Sequence, residues 1–120
     1  MTAAIDHQVT DADLAVAFRS GDVPVLATPR VLALCEEATV AAIAGHLEDG
    51  TTTVGMRVQL DHLAPTGVGS TVTAEATVDK VEGRRLTFTV AAADERGAIA
   101  AGRVIRVVVD IDRFLEKISQ

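Results

Sequence analysis

The chain has no tryptophan, no tyrosine and only three phenylalanines, Phe18, Phe88 and Phe114, in 120 residues. With hydrophobic residues still at 48%, its core must be built from Val, Leu, Ile and Ala. Cysteine is nearly absent as well. Cys35 alone excludes an internal disulfide and a cysteine metal cluster, and it is expected to be an inert core thiol. His7, His46 and His62 are scattered without ligand spacing, so no metal site is expected. No apolar run approaches the 18 or more residues of a membrane span. The opening M-T-A-A-I-D-H-Q has no basic segment followed by an apolar one, so a cytoplasmic protein is expected. Basic residues are in deficit, 11 Lys and Arg against 17 Asp and Glu for a net charge of −6. That balance argues against a nucleic-acid partner and requires any anionic ligand to be held by local cations.

What is present is one strong helix signal followed by strands. Residues 28–50 open with Thr28 as a candidate N-cap and Pro29 at the first helical position, and Gly50 is a plausible stop. Such a helix of roughly 20 residues would run about 30 Å, enough to cross a small domain. On its wheel Val31, Cys35, Ala38 and Ala42 share one stripe, flanked by Leu34 on one side and Leu32 and Ile43 on the other. Glu37 falls on a wet face. Glu36 falls among Leu32, Val40, Ile43 and Leu47, where a carboxylate is costly unless it is used, unless it simply reaches water from the stripe's edge.

After the helix, residues 54–63 alternate Met56, Val58, Leu60 and His62 against Gly55, Arg57, Gln59 and Asp61, which places His62 on the apolar face. Residues 71–81 alternate again with Val72, Ala74, Ala76 and Val78 inward. Residues 86–93 and 98–110 complete four strands, joined by turns at 64–69, 82–85 and 94–97. Short connections favour an antiparallel meander, and the N-terminal segment, with its alternating I-D-H-Q-V-T, offers a fifth strand. There is no repeat or linker. The expected fold is α+β in a single domain over residues 1–120: one long central helix wrapped by a curled antiparallel sheet of about five strands.

Three stretches, V-P-V-L-A-T-P-R-V-L-A-L-C-E-E-A, V-G-M-R-V-Q-L-D-H-L-A-P-T-G and V-E-G-R-R-L, in this order, resemble the hot-dog-fold acyl-CoA thioesterases. The resemblance is strongest to the fluoroacetyl-CoA thioesterase branch and runs from about Val25 to Phe114. It implies a catalytic group of Thr28, Glu36 and His62, a backbone position close to the substrate at Gly55, and a structural or site-bordering Arg106. It also implies a homodimer with sites at the subunit interface, acyl-CoA as substrate, and no cofactor beyond the coenzyme A that the substrate carries. Two departures separate the chain from that branch. Glu37 stands where an aromatic residue is common, and Phe18 alone stands where the branch has an aromatic lid, so the fluorinated substrate is not carried over.

Thioester hydrolysis needs an activated nucleophile, a donor for the oxyanion and a proton for the departing thiolate. Glu36, with a carboxyl raised by apolar company, suits a general base or a direct nucleophile. His62 suits a proton shuttle, and Thr28 either caps the helix or offers its hydroxyl to the site. Eight helical residues place Thr28 and Glu36 about 12 Å apart along the axis, so they meet only if the chain folds back before the helix or if two subunits contribute. Arg84 and Arg85, in E-G-R-R, are candidates for the phosphates of coenzyme A, with solubility of the turn as the plain alternative. Two further readings remain at this point: a non-catalytic acyl-CoA-binding hot-dog module, and a hot-dog enoyl-CoA hydratase that would lack its Asn-Pro-x-His-x-Asp pattern.

Overall fold

Period-two patterning in the second half of the chain becomes one antiparallel sheet, and the N-terminus supplies its fifth strand. The computed structural model describes residues 1–119. Strand β1 (Thr2–Gln8) leads through a 3-10 turn (Asp11–Asp13) and a short α1 (Ala15–Phe18) to α2 (Thr28–Ile43). Then come β2 (Thr51–His62), β3 (Thr71–Glu82), β4 (Arg85–Asp94), β5 (Gly97–Asp110) and a terminal α3 (Ile111–Glu116). The sheet order is β1-β3-β4-β5-β2, with every neighbour antiparallel. The meander β3-β4-β5 forms the middle, and β1 and β2 are the two edges.

Helix α2 lies on the inner face of the sheet, chiefly over β1, β3 and β4. Its buried stripe of Val31, Leu34, Cys35, Ala38 and Ala42 meets Val72, Ala74, Ala76, Phe88, Val90 and Val104 from the strands. Alanines on β3 let the helix approach closely, and Phe88, fully buried, fills the centre. Burial pushes the Cys35 thiol up to about 11, which keeps it a protonated core group. The inner faces of β2 and β5 are covered less, and the candidate site lies there.

Three expectations change. The helix stops at Ile43 rather than near residue 50, because Ala44 leaves helical geometry and Gly45 turns left-handed at φ 81°. Ala27, not Thr28, is the N-cap, so Thr28 is the first helical residue and its hydroxyl is not spent on the backbone. The alternation of β2 breaks at a bulge between Gly55 and Arg57. Gly55 therefore faces the helix, Met56 is exposed, and Val58, Leu60 and His62 keep their inward places.

The start of α2 is pinned by a buried anion. The Asp13 carboxylate accepts from the Thr10 N–H at 2.7 Å and Arg30 Nε at 2.9 Å, and it lies 2.8 Å from His7 Nε2. Its backbone carbonyl accepts the Ala27 N–H. His7 is thus half-buried. Burial alone would raise the Asp13 carboxyl, but the bonds from Thr10, His7 and Arg30 outweigh it and hold the group well below the usual carboxylate range.

Two outcomes follow from this packing. Phe88→Ala should lower stability by about 3–5 kcal/mol in urea unfolding, through lost transfer energy and the cavity left behind. Because the folded Asp13 carboxyl is depressed, its contribution is complete above the unfolded value near 4 and is lost as pH falls below it. Unfolding midpoints measured between about pH 5 and pH 2 should therefore fall less steeply in Asp13→Asn than in the parent.

Candidate active site

Two polar clusters border the open part of the inner face, one at each end of the exposed run of β2. The first is built on Arg106, which points inward from β5 and is only 7% exposed. A guanidinium cannot remain buried without partners. Arg106 Nε donates to Thr53 Oγ1 at 2.8 Å, Nη2 to the Thr53 carbonyl at 3.0 Å, and Nη1 to Glu36 Oε2 at 3.1 Å. Glu36 is therefore held by a cation rather than left in the apolar company expected from the wheel; Val40, one member of that company, is exposed. The Glu36 side chain keeps 33% of its surface open. Gly55 allows this arrangement: a Cβ there would lie 2.5 Å from Glu36 Oε2.

The second cluster joins Thr28 and His62. Thr28 Oγ1 and His62 Nδ1 are 2.7 Å apart, linking the first turn of α2 to the last residue of β2. His62 Nε2 is buried and has no partner among the described residues. An orphaned ring nitrogen costs free energy until a ligand, water or another chain satisfies it. Beside the pair opens a cavity of about 320 Å³, walled by Ala15, Val23, Val25, Leu63, Ala64 and Pro65.

Within one protomer the two clusters do not meet. Thr28 and Glu36 lie on one uninterrupted helix, about 12 Å apart along its axis, and the chain does not fold back between them. Gly55, Glu36 and Arg106 come together, and so do Thr28 and His62. Arg84 and Arg85 join neither. Arg84 sits in the β3–β4 hairpin with Nη1 3.4 Å from the Val108 carbonyl, and Arg85 stands on the outer face of β4, the side away from the helix. Among the described residues no three His, Cys, Asp or Glu side chains are grouped to hold a metal ion.

Comparison with known proteins decides the family. The family model described as fluoroacetyl-CoA-specific thioesterase matches residues 9–112. The chain belongs to the fluoroacetyl-CoA-specific thioesterase family. It is 38% identical over 96 residues to the fluoroacetyl-CoA thioesterase of Streptantibioticus cattleyicolor, covering 80% of this chain and 69% of that protein. A solved fluoroacetyl-CoA thioesterase superposes with a TM-score of 0.91 at 31% identity, covering 98% of this chain and 92% of the other. A hot-dog-like protein from Thermanaerovibrio acidaminovorans gives 0.89 at 32% identity, over 98% and 87%. Membership makes the chain an acyl-CoA thioester hydrolase on a hot-dog fold, the class that the resemblance implied.

For this family member, sequence reasoning missed Thr53. Its hydroxyl and carbonyl both serve Arg106, and its signal was weak: the middle of a T-T-T run two residues before Gly55. A direct check of the Glu36 cluster is Gly55→Ala. The added methyl should push the Glu36 carboxylate off Arg106 while leaving the core intact. Thermal unfolding should shift by only a few degrees. By contrast, kcat/KM for an acyl-CoA should fall by about 10²-fold, the cost of an ångström's misplacement of a positioned group.

Proposed function

We propose that two copies of the chain pair along their β2 edges and hydrolyse a small or medium acyl-CoA thioester. Each site combines Thr28 and His62 of one protomer with Glu36 of the partner subunit. The observation that carries the reading is the straight α2: Thr28 bonds His62 while Glu36 remains about 12 Å further along the same helix. A complete site then needs a second helix. Strand β2 is an edge, with backbone groups open to another strand and the exposed Met56 on it. An antiparallel pairing centred on Gln59, which sets inward Val58 opposite inward Leu60, brings His62 opposite the Gly55–Met56 bulge of the partner subunit. Gly55 is the residue that lies against Glu36 within each protomer. A twofold axis generates two equal sites.

In this arrangement Glu36, oriented by Arg106, takes a proton from water, and the resulting hydroxide adds to the thioester carbonyl. The backbone at Gly55–Met56, thrown out of register by the bulge, faces the developing oxyanion. As the C–S bond breaks, the proton held by Glu36 returns to the thiolate sulfur through His62 Nε2, the ring nitrogen without a partner among the described residues. Thr28 fixes the ring through Nδ1. The products are the free acid and the thiol of coenzyme A. A variant of the solved fluoroacetyl-CoA thioesterase was crystallised with acetyl-CoA, which supports a short acyl chain on coenzyme A here. The apolar part of the cavity wall, Val23, Val25, Leu63 and Pro65, suits such a chain. The reading places this homodimer in the cytoplasm, with no cofactor other than the coenzyme A of its substrate.

Thiol release from acyl-CoAs of two to ten carbons tests it. Glu36→Gln and His62→Ala should each lower kcat by about 10²–10⁴-fold, the range of a general acid or base, with KM changed little. If the parent protein releases no more thiol than these variants on every acyl-CoA, the chain is a binding module instead.

A further inference from the structure

The outer face of the sheet, which the reaction above does not use, carries a second cavity of about 530 Å³. Strand register shows how it is made. Arg57 on β2 pairs with Ile105 on β5, Ile105 with Thr87 on β4, and Thr87 with Lys80 on β3. The four residues form one row across four strands, spanning about 14 Å at 4.8 Å per strand. Arg85 precedes Thr87 by two residues and Arg103 precedes Ile105 by two. Since β4 and β5 run antiparallel, these two arginines flank the row on opposite sides. Four cations thus surround a floor of Thr87 and Ile105.

Two of the four are present only because the strands are irregular. Gly55 faces the helix, so strict alternation would turn Arg57 inward, and the bulge between them sends it outward. On β3 the inward Val78 would likewise turn Lys80 inward, and a second bulge between Val78 and Lys80 reverses it. Each bulge delivers one cation to the ring. Asp79 and Glu82 also line the cavity. Asp79 accepts from the Thr89 hydroxyl, and Glu82 lies 3.8 Å from Lys80. Among the described residues Arg57, Arg85 and Arg103 form no ion pair. Four cations against two carboxylates make a local positive surplus on a chain of net charge −6.

We infer that this ring is a binding site for a phosphorylated small molecule of nucleotide size that carries at least two negative charges. Guanidinium groups match phosphate oxygens in pairs, and the size of the cavity admits a mononucleotide. The phosphates can come from a free nucleotide or from the 3′-phosphoadenosine end of coenzyme A. The site stands whether or not the chain hydrolyses thioesters, so its test is separate.

Calorimetric titration with adenosine 3′,5′-bisphosphate and with pyrophosphate should show saturable binding to the full chain that weakens with added salt. The double variant Arg57→Gln/Arg103→Gln should lose at least tenfold in affinity, Arg57→Lys should lose less, and Lys117→Gln, outside the cavity, should bind as the parent does. Circular dichroism of each variant checks that it is folded. Absence of saturable binding of both probes to the parent, or equal binding by the folded double variant, overturns the inference. Kinetics separate the two sources. If KM rises in the double variant for an acyl-CoA but not for the corresponding acyl-pantetheine, the ring holds the substrate's own nucleotide end. If probe binding is lost and both KM values stay unchanged, it holds a free nucleotide.

Discussion

Eight residue steps of unbroken α-helix carry the chain from Thr28 to Glu36, and that rigid spacer governs how the two clusters are laid out. At 1.5 Å per residue the two backbone positions are held about 12 Å apart along the helix axis. Asp13 fixes where the helix begins, through Arg30 in its first turn and the Ala27 amide before it. Arg106 and Thr53 fix where Glu36 points. The protomer thus holds each cluster in place without bringing the two together, and this is the physical reason for the dimer in the proposed function.

The bulge on β2 has consequences on both faces of the sheet. One extra residue turns Gly55 toward the helix, and the missing side chain leaves room for the Glu36 carboxylate. The same residue turns Arg57 outward to the ring of cations. A strand in regular alternation would present one of these residues correctly and misplace the other.

Much of this layout could be read from the chain. Strand faces on β3 and the inward placement of His62 follow from period-two alternation, and the stripe of α2 follows from helical spacing. The end of α2 is hidden from the pattern because Leu47 continues the apolar period after Gly45 has broken the helix; it still packs against the core, but from beyond the helix. Thr28 looked like a cap because Thr before Pro is a good capping pair, and only the tertiary position of His62 claims its hydroxyl. The β2 bulge leaves no mark in the sequence, since V-G-M-R-V-Q-L-D-H alternates without interruption across it. Arg106 entered through family resemblance alone. An arginine inside a valine-rich run gives no sign of its burial until Thr53 and Glu36 are seen to satisfy it.

The central claim is that one site draws on two protomers, and subunit mixing tests it most directly. Glu36→Ala and His62→Ala protomers, each inactive alone, are unfolded, mixed in equal amounts and refolded together. Random pairing makes half of the dimers mixed, each with one intact site, so roughly a quarter of parental activity should return. If the mixture stays as inactive as its components while mixed dimers are demonstrably present, Glu36 and His62 serve the same protomer and the account is wrong.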